Sequence, residues 1–152
     1  MEKIASFQVD HDTLEPGMYV SRVDGDDIRT YDIRFKKPNA GDYLSPAASH
    51  TLEHLYATYL RSGPIKENVI YFGPMGCLTG FYLVLKGVSD SLAIKAVEEA
   101  TRFCAEYTGE IPGSRRNECG NYLLHDPEGA RREARCFLKI IQGYKEEELR
   151  YK

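Results

Sequence analysis

The sequence predicts an α+β fold in which an antiparallel β-sheet packs against helices. Three observations carry that reading. Two short segments flank an Asp-Gly turn, the second alternating every other residue, as a β-hairpin requires. Three later stretches repeat apolar residues at helical spacing between recognisable caps. Strands and helices mix without the strand–helix–strand repetition that a parallel sheet needs. At 152 residues the chain is expected to form one domain, 1–152, large enough to bury about 70% of its unfolded surface.

Taken in order, Gly17 to Val23 reads as a strand and Asp24-Gly25-Asp26-Asp27 as its turn. Ile28 to Phe35 forms the partner strand, with Ile28, Thr30 and Asp32 on one side and Arg29, Tyr31, Ile33 and Phe35 on the other. Pro38 to Ser45 is a loop. The first long helix has Ser45 as N-cap, Pro46 at its first position, an apolar stripe of Leu52, Leu55, Tyr56, Tyr59 and Leu60, and Gly63 as its stop. Asn68 to Phe72 and Thr79 to Lys86 read as strands around the Gly-Pro-Met-Gly-Cys turn. Asp90 to Tyr107 is an amphipathic helix, Gly109 to about Leu124 a loop, and Asp126-Pro127 the start of a helix running to about Ile141. The charged end, Lys145 to Lys152, is expected to form a short helix or to fray.

Composition narrows the function. Hydrophobic residues make up 42% and charged residues 28%, ordinary for a globular protein. A net charge of −3 gives no electrostatic case for nucleic acid or an acidic membrane, and Arg115-Arg116 and Arg131-Arg132 are too short for a basic patch. No apolar run approaches the ~20 residues of a membrane span. Met1-Glu2-Lys3-Ile4 has none of the regions of a signal peptide, so a cytoplasmic location is expected. Cys77, Cys104, Cys119 and Cys136 contain no CxxC pair and are expected to be thiols.

The chemistry centres on His50-Thr51-Leu52-Glu53-His54. Histidines four apart on a helix project the same way, with Cβ atoms about 5–6 Å apart, so both imidazoles can reach one metal ion. Glu53 adds a carboxylate able to move protons beside a Lewis acid. A catalytic metal usually takes three protein ligands, leaving His11, His125, Cys77, Cys104, Cys119 and Cys136 as candidates for the third. Cys104 and Cys136 lie within helical stretches and read as small core residues. His125, just ahead of Asp126-Pro127, reads as part of the helix start. Cys119 sits in the polar loop Arg116-Asn117-Glu118-Cys119-Gly120-Asn121, where glycine permits close backbone approach. Cys77 is framed by glycines in a turn that presents its side chain; near a metal its thiolate could act as a base.

Across nearly its full length the chain resembles S-ribosylhomocysteine lyase, the LuxS family. The matching segments, in order, are Ser6-Phe7 with Asp10-His11, Asp32-Ile33-Arg34-Phe35 with Pro38-Asn39, and His50-Thr51-Leu52-Glu53-His54-Leu55. Pro74-Met75-Gly76-Cys77, Thr79-Gly80-Phe81-Tyr82 and Cys119-Gly120 follow. The resemblance implies cleavage of the thioether of S-ribosylhomocysteine to homocysteine and 4,5-dihydroxy-2,3-pentanedione, the precursor of autoinducer-2. It implies a homodimer with active sites at the subunit interface and one divalent metal per subunit, natively Fe²⁺, with Zn²⁺ or Co²⁺ also accepted. By motif match His50, His54 and Cys119 are the metal ligands, Glu53 and Cys77 the acid/base pair, and Ser6, His11 and Arg34 line the substrate pocket. By itself Arg34 is a strand residue of a kind usually solvated or ion-paired.

The residue types suit that reaction. The family moves the sugar carbonyl from C1 to C2 and then to C3, which places the thioether β to a carbonyl and lets homocysteine leave by elimination. Each shift passes through an enediolate, which a Lewis acid stabilises, and proton traffic needs bases on more than one face of the sugar. The chain departs from the family in two places. Ile70-Tyr71-Phe72-Gly73 lacks the carboxylate that many members place there for the homocysteine amino group, and Leu78 replaces a common polar residue.

Two other functions compete. His50-x-x-Glu53-His54 is also the inverted zinc motif of the inverzincins, in which Glu53 would activate water against a peptide bond and Glu98 or Glu99 would complete the site. A non-catalytic, metal-stabilised binding module is the second alternative; it tolerates Cys77→Ala and Glu53→Gln.

Overall fold

The computed structural model describes all residues, Met1–Lys152. A short helix α1 (Ala5–Gln8) precedes the hairpin β1 (Gly17–Asp24) and β2 (Ile28–Arg34). Helix α2 (Pro46–Ser62) leads to β3 (Val69–Pro74) and β4 (Gly80–Lys86), and helices α3 (Asp90–Glu106) and α4 (Pro127–Ile141) complete the order. Short 3₁₀ turns occupy Lys66–Asn68 and Glu146–Leu149. The expected hairpin and the three long helices are present, within a residue or two of the anticipated bounds.

The four strands form one antiparallel sheet in the order β1-β2-β4-β3. Pairing of Tyr31 with Leu83 and of Ile33 with Phe81 points four large side chains to one face, and none of them is accessible to solvent. Against this face lie Leu52, Leu55 and Tyr56 of α2, Val97, Ala100 and Cys104 of α3, and Phe137 of α4. Phe35 joins the layers, stacked on Phe137 at 4.2 Å and edge-on to Phe81 at 5.2 Å.

Local chemistry starts each long helix. The Ser45 hydroxyl accepts from the backbone of Ala48 at 3.1 Å, the Ser89 hydroxyl from Leu92 at 3.3 Å, and the Asp126 carboxylate from Gly129 at 2.9 Å. The Ser45 cap fixes the start of α2 and so the direction of His50 and His54.

One expectation changes. Cys104 is buried, and burial pushes its thiol up, but Cys136 is exposed. The core side of α4 is set by Ala130, Ala134, Phe137 and Ile141, and Cys136 falls outside that stripe. Of the two outcomes expected for the C-terminal segment the short helix forms, as the 3₁₀ turn Glu146–Leu149; Leu149 is buried, and Tyr151 stacks on Tyr19 at 4.9 Å. On the second face of β2, Asp32 and Arg34 are both buried and ion-paired to each other at 2.6 Å, one of the two settings expected for Arg34. No helix is long and apolar enough to cross a membrane.

Candidate metal centre and catalytic site

Helix α2 presents His50 and His54 one turn apart, with ring centroids 4.6 Å from each other. The Nδ1 of His50 lies 2.6 Å from the Leu124 carbonyl, and that of His54 lies 2.7 Å from the Pro112 carbonyl. A carbonyl oxygen can only accept, so each Nδ1 carries the proton and each Nε2 keeps a free lone pair. Backbone partners of this kind orient metal-binding imidazoles.

Cys119 arrives from the following loop. Its backbone N–H and that of Glu118 both donate to the Arg115 carbonyl, at 3.0 and 2.9 Å, while the Glu118 carboxylate accepts from the Arg115 N–H at 3.3 Å. The loop passes His54 closely at Gly113, where φ is +67° and a Cβ would stand 3.4 Å from the ring. Cys119 Sγ then lies 3.4 Å from His50 Nε2 and 3.9 Å from His54 Nε2. For metal–sulfur and metal–nitrogen bonds of about 2.3 and 2.1 Å at a tetrahedral angle, sulfur and nitrogen stand about 3.6 Å apart. The observed separations straddle that value, so this donor set fits a tetrahedral divalent metal.

Sequence reasoning counted His125 among the candidates for a third ligand but read it as part of the helix start. It does precede the Asp126 cap, but it also joins the cluster: donor atoms of His50, His54, Cys119 and His125 lie within 4.8 Å of one another. Its ring stacks on His50 at 4.1 Å and meets His54 edge-on at 4.9 Å. Burial, together with the neighbouring charge of His50 and His54, pushes His125 down to about 4. The short separation from Cys119 is the signal that could have found it.

A second group surrounds Arg34. Its Nε and Nη2 donate to the two Asp32 oxygens at 3.1 and 2.6 Å, and Nη1 donates to Thr79 Oγ1 at 2.6 Å. Burial pulls the guanidinium down, but the hydrogen-bonded Asp32 carboxylate outweighs it and the net shift is upward. Cys77 Sγ lies 3.0 Å from Thr79 Oγ1 and 4.0 Å from Arg34 Nη1. Its turn ends on Leu78, held at φ +60° by bonds from its N–H to Met75 and from Leu44 to its carbonyl. Gly80 permits this packing, because a Cβ there would meet the Ile33 carbonyl at 2.3 Å. Asp32 and Tyr151 were missed by sequence reasoning; the i, i+2 spacing of Asp32 and Arg34 on one strand face was the available signal for the first.

The remaining anticipated residues are dispersed. Ser6 on α1 lines an open hollow of about 240 Å³ with Thr30 and Tyr82, on the sheet face that also carries Asp32. His11 places Nδ1 2.8 Å from the Val9 carbonyl. Glu53 is half-buried on α2, between the two histidines in sequence. Within one chain, then, the imidazole–thiol cluster and the Arg34–Cys77 group are separate constellations: Cys77 contacts Arg34 and Thr79, not the imidazoles. The inverzincin completion is absent as well. Glu98 binds Arg102 at 3.0 Å, Glu99 faces Lys95, and no carboxylate belongs to the cluster.

Comparison with known proteins adds an independent line. The family S-Ribosylhomocysteinase (LuxS) matches residues 4–148. The S-ribosylhomocysteine lyase of Phocaeicola vulgatus is 44% identical over 99% of this chain and 98% of its own length. That of Clostridium acetobutylicum is 45% identical over 99% of both chains, and that of Borreliella burgdorferi 42% identical over 99% of both. With the imidazole–thiol cluster at metal-binding distances and a match across almost every residue, the chain belongs to the S-ribosylhomocysteinase (LuxS) family.

Proposed function

We propose that the chain is a metal-dependent carbon–sulfur lyase that cleaves S-ribosylhomocysteine to homocysteine and 4,5-dihydroxy-2,3-pentanedione. The observation that carries this is the cluster of two tautomer-fixed imidazoles and one thiol in a chain that matches lyases of that name end to end. His50, His54 and Cys119 hold one divalent metal, natively Fe²⁺, with Zn²⁺ and Co²⁺ as functional substitutes; two nitrogens and a thiolate suit all three. When bound, the metal supplies Lewis-acid stabilisation of the sugar oxygens.

The protein's own groups move the protons. Glu53, on the metal-binding helix, and Cys77, in its strained turn, take a proton from one sugar carbon and return it to the next, shifting the carbonyl from C1 to C2 and then to C3. Removal of the C4 proton then expels homocysteine from C5 as its thiolate, which takes up a proton, and protonation of the resulting C4–C5 enol at C5 gives 4,5-dihydroxy-2,3-pentanedione. Arg34 holds a positive charge beside Cys77, and Ser6 and His11 orient the substrate. Without a carboxylate between Ile70 and Gly73, the amino-acid end of the substrate is held by other residues.

The split between the two constellations supports a homodimer, in which Cys77 and Arg34 of one copy meet the metal cluster of another. Exposed Phe7, Tyr122 and Leu123 provide apolar surface for such an interface. Residues 1–152 act as one domain in the cytoplasm, where the four unpaired cysteines stay reduced. The product feeds autoinducer-2 synthesis and quorum sensing, and homocysteine returns to the methyl cycle. The test is anaerobic turnover of S-ribosylhomocysteine, followed by free thiol, in wild type, Cys77→Ala and Glu53→Gln. Thiol release that disappears in both metal-loaded variants is expected; no release by the metal-loaded wild type would refute the proposal.

A further inference from the structure

Three imidazoles meet at the metal cluster, yet their hydrogen bonds do not give them the same role. His50 and His54 each turn Nδ1 to a backbone carbonyl, which leaves the Nε2 lone pair free. His125 turns Nδ1 to the Thr51 hydroxyl, 3.0 Å away. That hydroxyl already accepts the Asp126 N–H at 3.0 Å. Its one proton has His125 Nδ1 as its acceptor, so Nδ1 receives a hydrogen bond and the imidazole proton resides on Nε2. His125 Nε2 is buried with no hydrogen-bond partner in the chain. A buried N–H is rarely left unmet unless a ligand completes it.

Ring orientation agrees. His125 lies nearly parallel to His50, with 18° between the planes and 4.1 Å between centroids. A coordination bond lies in the plane of its imidazole, and near-parallel rings stacked at 4.1 Å do not share a plane, so His50 and His125 are poorly set to hold one ion together. His50, His54 and Cys119 would hold the metal, with the His125 N–H beside them.

Resting on the lyase reading above, we infer that His125 is a hydrogen-bond donor to an oxygen of the metal-bound sugar, and not a fourth metal ligand. Negative charge that develops on the sugar oxygens during the carbonyl shifts then meets a fixed N–H that needs no reorganisation. The Thr51–Asp126 bond locks that donor in place by tying the tautomer of His125 to the cap of α4.

The experiment has two arms. In zinc-loaded, isotope-labelled wild type, two-bond proton–nitrogen correlations report each histidine's tautomer; His50 and His54 are expected as Nδ1–H and His125 as Nε2–H. An Nδ1–H tautomer at His125 overturns the inference. This arm needs neither substrate nor variant, so a wild type that leaves S-ribosylhomocysteine intact would remove the lyase reading while the tautomer is still decided. In the second arm, metal stoichiometry, the cobalt absorption spectrum and turnover are compared in wild type, His125→Phe and His125→Gln. His125→Phe is expected to keep its metal and its cobalt bands while kcat falls about 10²-fold, with partial recovery in His125→Gln, which restores an N–H donor. Loss of bound metal or of cobalt band intensity in His125→Phe would make His125 a ligand. A shift of the thiolate-to-cobalt band with unchanged kcat would put the donor on Cys119. Either result overturns the assignment to the sugar.

Discussion

Replacing Asp32 by alanine tests whether Arg34 is held as a buried charge. The two side chains are 2% and 3% exposed. Asp32 accepts two of the three strong hydrogen bonds of the guanidinium, at 3.1 and 2.6 Å, and Thr79 accepts the third. It also accepts the Tyr151 phenol at 2.9 Å. Alanine therefore strands a cation in a site with one neutral partner and frees the aromatic group that covers it. Breaking a buried pair in this way costs about 3–5 kcal/mol, and loss of the phenol bond adds about 1 kcal/mol. Set against a total stability of about 5–15 kcal/mol for a domain of ordinary stability, the change is large.

The double variant Asp32→Ala/Arg34→Met separates this mechanism from simple loss of packing. It removes the cation along with its partner, and should recover at least half of the loss, because an uncharged pair has no desolvated charge to compensate. Urea denaturation of the four proteins of the cycle, in one metal state, measures each term. An Asp32→Ala cost below about 1 kcal/mol would refute the reasoning, since that is the range of an ordinary surface change. A double variant as unstable as Asp32→Ala would refute it too. Because Arg34 lies 4.0 Å from Cys77, the single variant should also lose turnover while keeping its metal.

Other outcomes follow from the same geometry. Cys119→Ala should abolish stoichiometric metal retention after dialysis, measured by elemental analysis; full retention would remove Cys119 from the ligand set. Ser45→Ala should cost about 1 kcal/mol by denaturation, since it leaves the Ala48 N–H at the start of α2 without its acceptor. Burial, reinforced by neighbouring acidic groups, pushes Tyr19 up to about 12 and raises Tyr31 and Tyr151 further. The unfolded phenol loses its proton near pH 10 and the folded one later, so this stabilisation is complete below pH 10 and is lost as pH rises through about 12. An ultraviolet tyrosinate titration should show late-ionising tyrosines until the fold is lost, and titration of every tyrosine near pH 10 with the fold intact would contradict it.

Two of the long helices were legible from their own boundary chemistry, since Ser45-Pro46 and Asp126-Pro127 start helices whatever surrounds them, and α3 was legible from its amphipathic pattern. The hairpin was legible for a similar reason, its Asp-Gly turn being local. His50 and His54 could be read together because one helix fixes both. What stayed hidden depends on contacts between distant segments. Arg34 reads as a strand residue either solvated or ion-paired, and the choice between the two is settled only when Tyr151, more than a hundred positions later, folds over its partner Asp32. Cys136 reads as core until the α4 stripe is seen to run through Ala134, Phe137 and Ile141.

The same distinction governs the histidines. Helical spacing identifies two residues able to share a metal, but it says nothing about which nitrogen of each ring holds the proton. That is decided by Pro112, Leu124 and Thr51, of which two lie far along the chain and one on α2 itself. A carbonyl partner leaves a ligand; a hydroxyl partner whose proton has no acceptor but the ring leaves a donor. The ordering of the 112–125 loop and the α4 cap is therefore part of the chemistry of the site. Changes at Gly113 or Asp126, neither of which offers a ligand to the cluster, should alter metal binding or turnover through the rings they orient.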